Sequence, residues 1–243
     1  MLPLSAYPAR RSSLLLAALA GALLLSGCGA SRATRRVYHG FRPAEAQDLA
    51  CVRPVVTMGL IVRGDDAHPD AWFSSHMAGR FRRSLQRQAG ALHLQPGPAA
   101  DDSLRRDLLR AEVERAAATL ARQRTAEGYA EPLPVVESVL ANQPGRYALL
   151  LVCRGFVRTK DNYQQESSQH GHQYAMFGVV GAGAAPQPNR LGLYALVYDR
   201  EQHRVVYYGH RRSSSGQLLK DRVLDRRVRQ LLFPNFGTPT AAR

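Results

Sequence analysis

Arginine supplies most of the chemistry this sequence can offer. Lysine stands only at positions 160 and 220, so nearly all of the formal +14 charge on the 243 residues is guanidinium. The arginines are also spaced. His76, Arg80, Arg83 and Arg87 fall at i, i+4, i+7 and i+11, a basic stripe along a helix, and Arg222, Arg226 and Arg229 repeat it beside Leu224, Val228 and Leu231. Guanidinium holds carboxylate and phosphate oxygens through two parallel hydrogen bonds, so the stripes could clamp an anionic lipid, a glycan or an acidic partner. A solvated helix face in an arginine-rich protein gives the same spacing.

Other clusters carry weaker chemistry. His170 and His172, with Glu166 or Asp161, could hold zinc or copper, but their surroundings are glutamine and serine and read as a solvated loop. Asp65, Asp66, His68 and Asp70 could hold a hard cation or share a proton; turn formation and helix capping already account for Asp66 and Asp70. The glycines from Gly178 to Gly183 lack the order of a phosphate loop. No Gly-x-Ser-x-Gly elbow and no His-Glu-x-x-His pair occurs, and Ser75 and His76, adjacent on a helix, point apart. The reading therefore assigns no catalytic residue, metal ligand or cofactor.

The elements that must position these groups follow from periodicity. The β-branched run from Val55 to Val62 suits a buried strand ending in the turn Gly64-Asp65-Asp66. Asp70 caps a helix over 71–88, whose Phe73, Met77, Phe81 and Leu85 make one apolar stripe. Asp101, Asp102 and Ser103 offer caps for a second helix over 104–122 with Leu109, Val113, Ala116 and Leu120 inward and an Arg110 to Glu114 pair outward. A short helix over 135–142, a strand over 147–157, a polar loop over 158–189, a hairpin over 191–198 and 204–210, and a helix over 217–233 ended by Pro234 complete the chain. The order implies a single α/β domain: a mixed sheet with packed helices.

The N-terminus carries the most specific motif. Arg10 and Arg11 precede the apolar run Leu14 to Leu25, whose 12 residues span about 18 Å and fall short of the roughly 30 Å of hydrocarbon a membrane span must cross. The run ends in Leu25-Ser26-Gly27-Cys28, which resembles the lipobox of bacterial lipoproteins. That resemblance implies cleavage between Gly27 and Cys28, diacylglycerol on the Cys28 sulfur and usually acylation of the new amino group, which together anchor the chain durably. In that family an Asp after the cysteine often marks retention in the inner membrane, and Gly29 stands there instead, which favours the periplasmic face of an outer membrane.

The expected organisation is a signal peptide over 1–27, a lipidated N-terminus and tether over 28–52, the α/β domain over 53–236 and a tail over 237–243. In an oxidising compartment Cys51 and Cys153 could form a disulfide or stay as separate buried thiols. Export removes nucleic acid as a partner for the positive charge and leaves membrane lipid, acidic glycan or an acidic protein.

The stretch from Tyr147-Ala148-Leu149-Leu150-Leu151 through Leu196-Val197-Tyr198-Asp199 to Val205-Val206-Tyr207-Tyr208 is similar to a recurrent envelope-lipoprotein domain. Its group includes the curli secretion channel lipoprotein and the lipoprotein activators of penicillin-binding proteins. The resemblance implies a partner-binding role in envelope assembly or regulation without catalysis. No site residue is carried over from it.

Overall fold

A computed structural model describes residues 33–46, 48–97, 103–123, 128–177, 186–214 and 220–236. Eight strands form one mixed sheet: β1 (Thr34–Val37), β2 (Leu49–Cys51), β3 (Val55–Ile61), β4 (His68–Pro69), β5 (Leu94–Pro96), β6 (Tyr147–Arg158), β7 (Asn189–Asp199) and β8 (Arg204–Ser214). The helices are α1 (Ala71–Gln88), α2 (Ser103–Arg122), α3 (Pro134–Leu140), α4 (Lys160–Phe177) and α5 (Asp221–Phe236). Strands β6, β7 and β8 form an antiparallel meander with β1 on its outer edge, while β2 and β3 both lie parallel to β6 on the other side. The α/β architecture expected from the periodicities is the one observed.

Strands β2 and β3 are two parts of one interrupted strand. Cys51 pairs with Leu149 and Val55 with Val152, so four steps on one strand face three on β6. The extra residue makes a bulge at Val52-Arg53-Pro54, where a proline is tolerated because it has no N–H to give the ladder. Beyond this strand the sheet edge is incomplete. Strand β5 pairs only with Leu49 to Cys51, and β4 only with Gly59 and Leu60.

Alternation along the strands divides the side chains between two cores. Val56, Met58, Leu149, Leu151, Leu193 and Val197 pack against Met77, Phe81 and Leu85 of α1 and Leu224, Val228 and Leu231 of α5. Val55, Ala148, Leu150, Val152, Leu196 and Tyr198 pack on the other face against Leu109, Val113, Ala116 and Leu120 of α2 and Val136 and Leu140 of α3. Both expected apolar stripes thus find their cores, and Asp70 caps α1 by accepting the Phe73 N–H at 2.8 Å.

Several sequence expectations need correction. Strands β1 and β2 fall within the stretch read as tether, so the folded body begins by residue 33; Arg35 points outward, half-buried Arg36 donates to the Leu120 carbonyl of α2 at 2.9 Å, and Tyr38 and Phe41 are buried. Their short, mixed polar pattern hid them. The polar loop read over 158–189 contains α4, which Thr159 caps by accepting the Asn162 N–H at 3.3 Å.

Pro234 does not end the last helix, which runs on to Phe236. The missing proline N–H leaves the Gln230 carbonyl without its usual donor, and the Arg35 guanidinium supplies one at 3.3 Å while buried Phe236 holds the final turn. On α2, Arg110 pairs with Asp107, and Glu114 turns inward to Arg154 of β6.

Cys51 and Cys153 are free thiols. Cys51 stands opposite Leu149, four residues before Cys153 on the same strand, about 13 Å away along β6 and beyond disulfide reach. The lipobox with Gly27 and Cys28, the caps Asp101 and Asp102, the glycines from Gly178 to Gly183 and the tail over 237–243 lie outside the described residues.

Candidate functional site

The incomplete sheet edge opens into a groove of about 560 Å³. Its floor is the edge of β3 at Val55, Val56 and Thr57. Ser74, Ser75, Ala78 and Arg82 of α1 make one wall, and Ser103, Arg106, Asp107 and Arg110 of α2 make the other. The groove exists because α1 covers one sheet face and α2 the opposite face, with no strand between them at the edge. A second hollow of about 470 Å³ shares Arg53, Pro54 and Arg82 and continues past Leu85, Gln86 and Leu94 to Pro96 and Gly97. Gly97 closes the far end, where a Cβ would lie 2.4 Å from the Cys51 carbonyl oxygen and block the Gly97 N–H from donating to it.

Hydrogen bonding at the floor shows which way the strand edge faces. The Met58 N–H donates to Ser74 Oγ at 2.9 Å, and the Met58 carbonyl accepts the Asp70 N–H at 2.9 Å, so this residue points its polar backbone away from β6. Two residues earlier, Val56 turns its N–H and carbonyl the same way, into the groove. No strand among the described residues pairs with them.

Four guanidinium-bearing residues, Arg53, Arg82, Arg106 and Arg110, line the two hollows against two carboxylates. Asp70 is committed to its cap, and Asp107 sits 3.3 Å from Arg110. The first turns of both wall helices also expose large apolar groups. Trp72 is 66% exposed and stacks on His76, and Leu104 is 69% exposed. Exposed aromatic and aliphatic groups beside arginine are the composition of a protein-binding surface.

The arginine stripes read from the sequence occupy a different place. Helices α1 and α5 pack together, and the stripes meet at their seam. Arg80 pairs with Asp221 and Arg87 with Asp225, each at 2.7 Å. The hydrogen bond from Arg80, with its charge, holds the Asp221 carboxyl below the usual range. Arg229 lies over the Phe233 ring at 5.7 Å, while Arg83, Arg222 and Arg226 are exposed. A two-sided clamp is therefore not formed, because acids on α5 take two of its six arginines.

Around Arg226 a different group assembles. Arg35 of β1, Arg211 of β8 and Arg227 of α5 gather beside it, and burial followed by the charges of Arg35 and Arg226 pushes the Arg211 pKa down. Among the described residues neither Arg211 nor Arg226 meets a carboxylate.

The remaining candidates do not converge. His170 and His172 sit two apart on α4 and point to different sides, with His172 Nδ1 2.8 Å from the Ser168 carbonyl. Asp65 pairs with buried Arg158 at 2.6 Å, away from Asp70. Among the described residues no three His, Cys, Asp or Glu side chains approach as a ligand set. One cluster escaped the sequence reading: Glu137 of α3 accepts the Tyr198 hydroxyl and lies 3.0 Å from His203 Nδ1. Burial, then the bond to Glu137, raises the Tyr198 pKa, which unsuits the phenol to act as a nucleophile.

No family model and no curated protein matches the chain. Among solved structures, the PelC dodecamer from Paraburkholderia phytofirmans is similar at 14% identity and a TM-score of 0.34, over 85% of this chain and 100% of that one. A point-substituted form of the same dodecamer matches at 12% identity and the same TM-score, over 86% and 99%. At that score the likeness bears on neither function nor partner.

Proposed function

We propose that this chain is a lipid-anchored protein of the bacterial envelope, held by acyl chains on Cys28 at the periplasmic face of the outer membrane. Its α/β domain binds another envelope component as an assembly or regulatory factor and catalyses no reaction itself. The observation that supports this reading is the groove at the β3 edge, where an unpaired strand edge and four arginines lie together, with Trp72 and Leu104 exposed on the first turns of the two wall helices. In-cell photo-crosslinking tests it, with the crosslinker placed at Ser75 in the groove wall or at exposed Arg212 of β8. One defined envelope protein should be captured from Ser75 and not from Arg212, and only when Cys28 is present. Equal capture by a Cys28→Ala form, or none from Ser75, contradicts the reading.

A second reading, attachment to anionic lipid or glycan, is favoured by the gathering of Arg35, Arg211, Arg226 and Arg227. Binding to phosphatidylglycerol vesicles should then fall steeply between 50 and 200 mM salt, by roughly the slope expected for several released counterions. Replacing Arg211 and Arg226 by glutamate should abolish it. Binding indifferent to both changes removes this reading.

A further inference from the structure

We infer that the groove takes an extended, acidic peptide segment of the partner, which adds as a short strand to the open edge of β3. This rests on the reading of the groove as the partner site and specifies how that site works.

The sheet itself shows the missing strand. Strand β5 ends where Gly97 donates to Cys51 at 3.0 Å, and the next edge contact is at Met58, where α1 begins. The gap between Cys51 and Met58 spans seven residue steps, about 20 Å once shortened by the bulge, which matches a segment of five or six extended residues. Within it Val56 presents both a donor and an acceptor. A strand laid there would satisfy them, which is the energetic basis of strand addition. The bulge matters as well, because it separates Arg53 from the register of β3 and places it between the two hollows.

Side-chain chemistry fixes the sign of the segment. An added strand directs alternate side chains toward α1 on one side and α2 on the other, and each wall carries arginine: Arg82 on α1, Arg110 on α2. Both are exposed and have room to move toward a carboxylate. Exposed Trp72 and Leu104 supply apolar contacts at the first turns of the same helices, which a free anion or a sugar acid would leave unused. A peptide with alternating acidic and aliphatic residues fits all of these features.

The test is a titration of full-length protein in detergent micelles against fluorescein-labelled heptapeptides, read by fluorescence anisotropy. The probes are alternating valine and glutamate, alternating valine and lysine, and two forms of the first peptide N-methylated on one or the other set of alternate amides. The valine–glutamate peptide should bind and the valine–lysine peptide should bind at least tenfold more weakly. One N-methylated form should lose at least tenfold and its complement less than threefold, because only one edge of the peptide faces β3. Arg82→Glu with Arg110→Glu should weaken the acidic peptide at least tenfold, whereas Arg212→Glu should leave it within twofold. Val56→Pro removes the groove-facing N–H without touching the β6 ladder, and should act like the damaging methylation; if it fails to fold, the arginine pair and the methylated peptides still decide.

Absence of binding up to 1 mM, equal binding of both N-methylated forms, or equal binding of the lysine peptide overturns strand addition. If peptides fail while crosslinking from Ser75 still captures a partner, only this mode of binding falls. If both fail, the groove is not the partner site.

Discussion

Arg80 and Arg82 are two residues apart on α1, about 200° around the helix, and they meet opposite fates. Arg80 faces the α5 seam, where Asp221 takes it at 2.7 Å and leaves its side chain 19% exposed. Arg82 faces the groove, exposed, where Asp70 is committed to a cap and Asp107 to Arg110. The seam is thus a finished interface between two parts of one chain, whereas Arg82 meets no carboxylate among the described residues. Spacing along one helix reveals where arginines line up. It does not reveal which of them another element has already neutralised.

That contrast can be sharpened from its most committed arginine downward. Arg158 is buried with 4% of its side chain exposed, and donates to the Gly64 carbonyl at 2.7 Å, to Asn162 Oδ1 and to Asp65. Arg158→Ala strands the buried Asn162 Oδ1 and removes one of the two donors to the Gly64 carbonyl, so urea unfolding should report a loss of about 3 kcal/mol. Asp65→Ala removes only an exposed partner, and the same measurement should show about 0.5 kcal/mol.

The next effect is a pH dependence. Burial, then the positive charges of Arg212 and Arg190, push the His210 imidazole down to about 4, below its ordinary 6.5. Between those values the unfolded chain binds a proton that the folded chain refuses, so His210 contributes stability that is full above pH 6.5 and lost as pH falls toward 4. Thermal melts should show a decline on the order of 3 kcal/mol across that window, and His210→Phe should flatten it.

Smaller still, Arg80→Ala should cost about 0.5 to 1 kcal/mol through loss of a partly exposed ion pair. Arg82→Glu with Arg110→Glu should alter stability by less than about 0.5 kcal/mol, since neither arginine holds the fold together. That pair should act on binding alone. At the bottom of the scale, Cys51 and Cys153 have thiols pushed up to about 12 by burial and form no bridge. Reducing agent should leave the melting temperature unchanged, and iodoacetamide should modify neither thiol until the protein unfolds.

The long elements were legible in the sequence because each repeats its pattern often enough to be recognised. Phe73, Met77, Phe81 and Leu85 mark α1, the capping Asp70 marks its start, and the run from Tyr147 marks β6. The short pieces were not. Strands β1, β2 and β4 are two to four residues long, and pairing with β8, β6 and β3 holds them, not local preference. Helix α4 has almost no apolar period and starts at a threonine cap. Since the groove arises where short β4 and β5 leave an edge open, its location was out of reach. One sign was present all the same: Pro54 beside Arg53 interrupts an otherwise strand-like stretch, which is how an edge bulge reads in sequence.

Amide hydrogen exchange at Val56, resolved residue by residue by NMR, tests the open edge most directly. Thr57, whose N–H turns toward β6, should be protected in the free protein, while Val56 exchanges at least a hundredfold faster and becomes protected when the valine–glutamate peptide is added. A Val56 amide as slow as Thr57 in the free protein would mean that the edge is already occupied, and the groove would have no strand to receive.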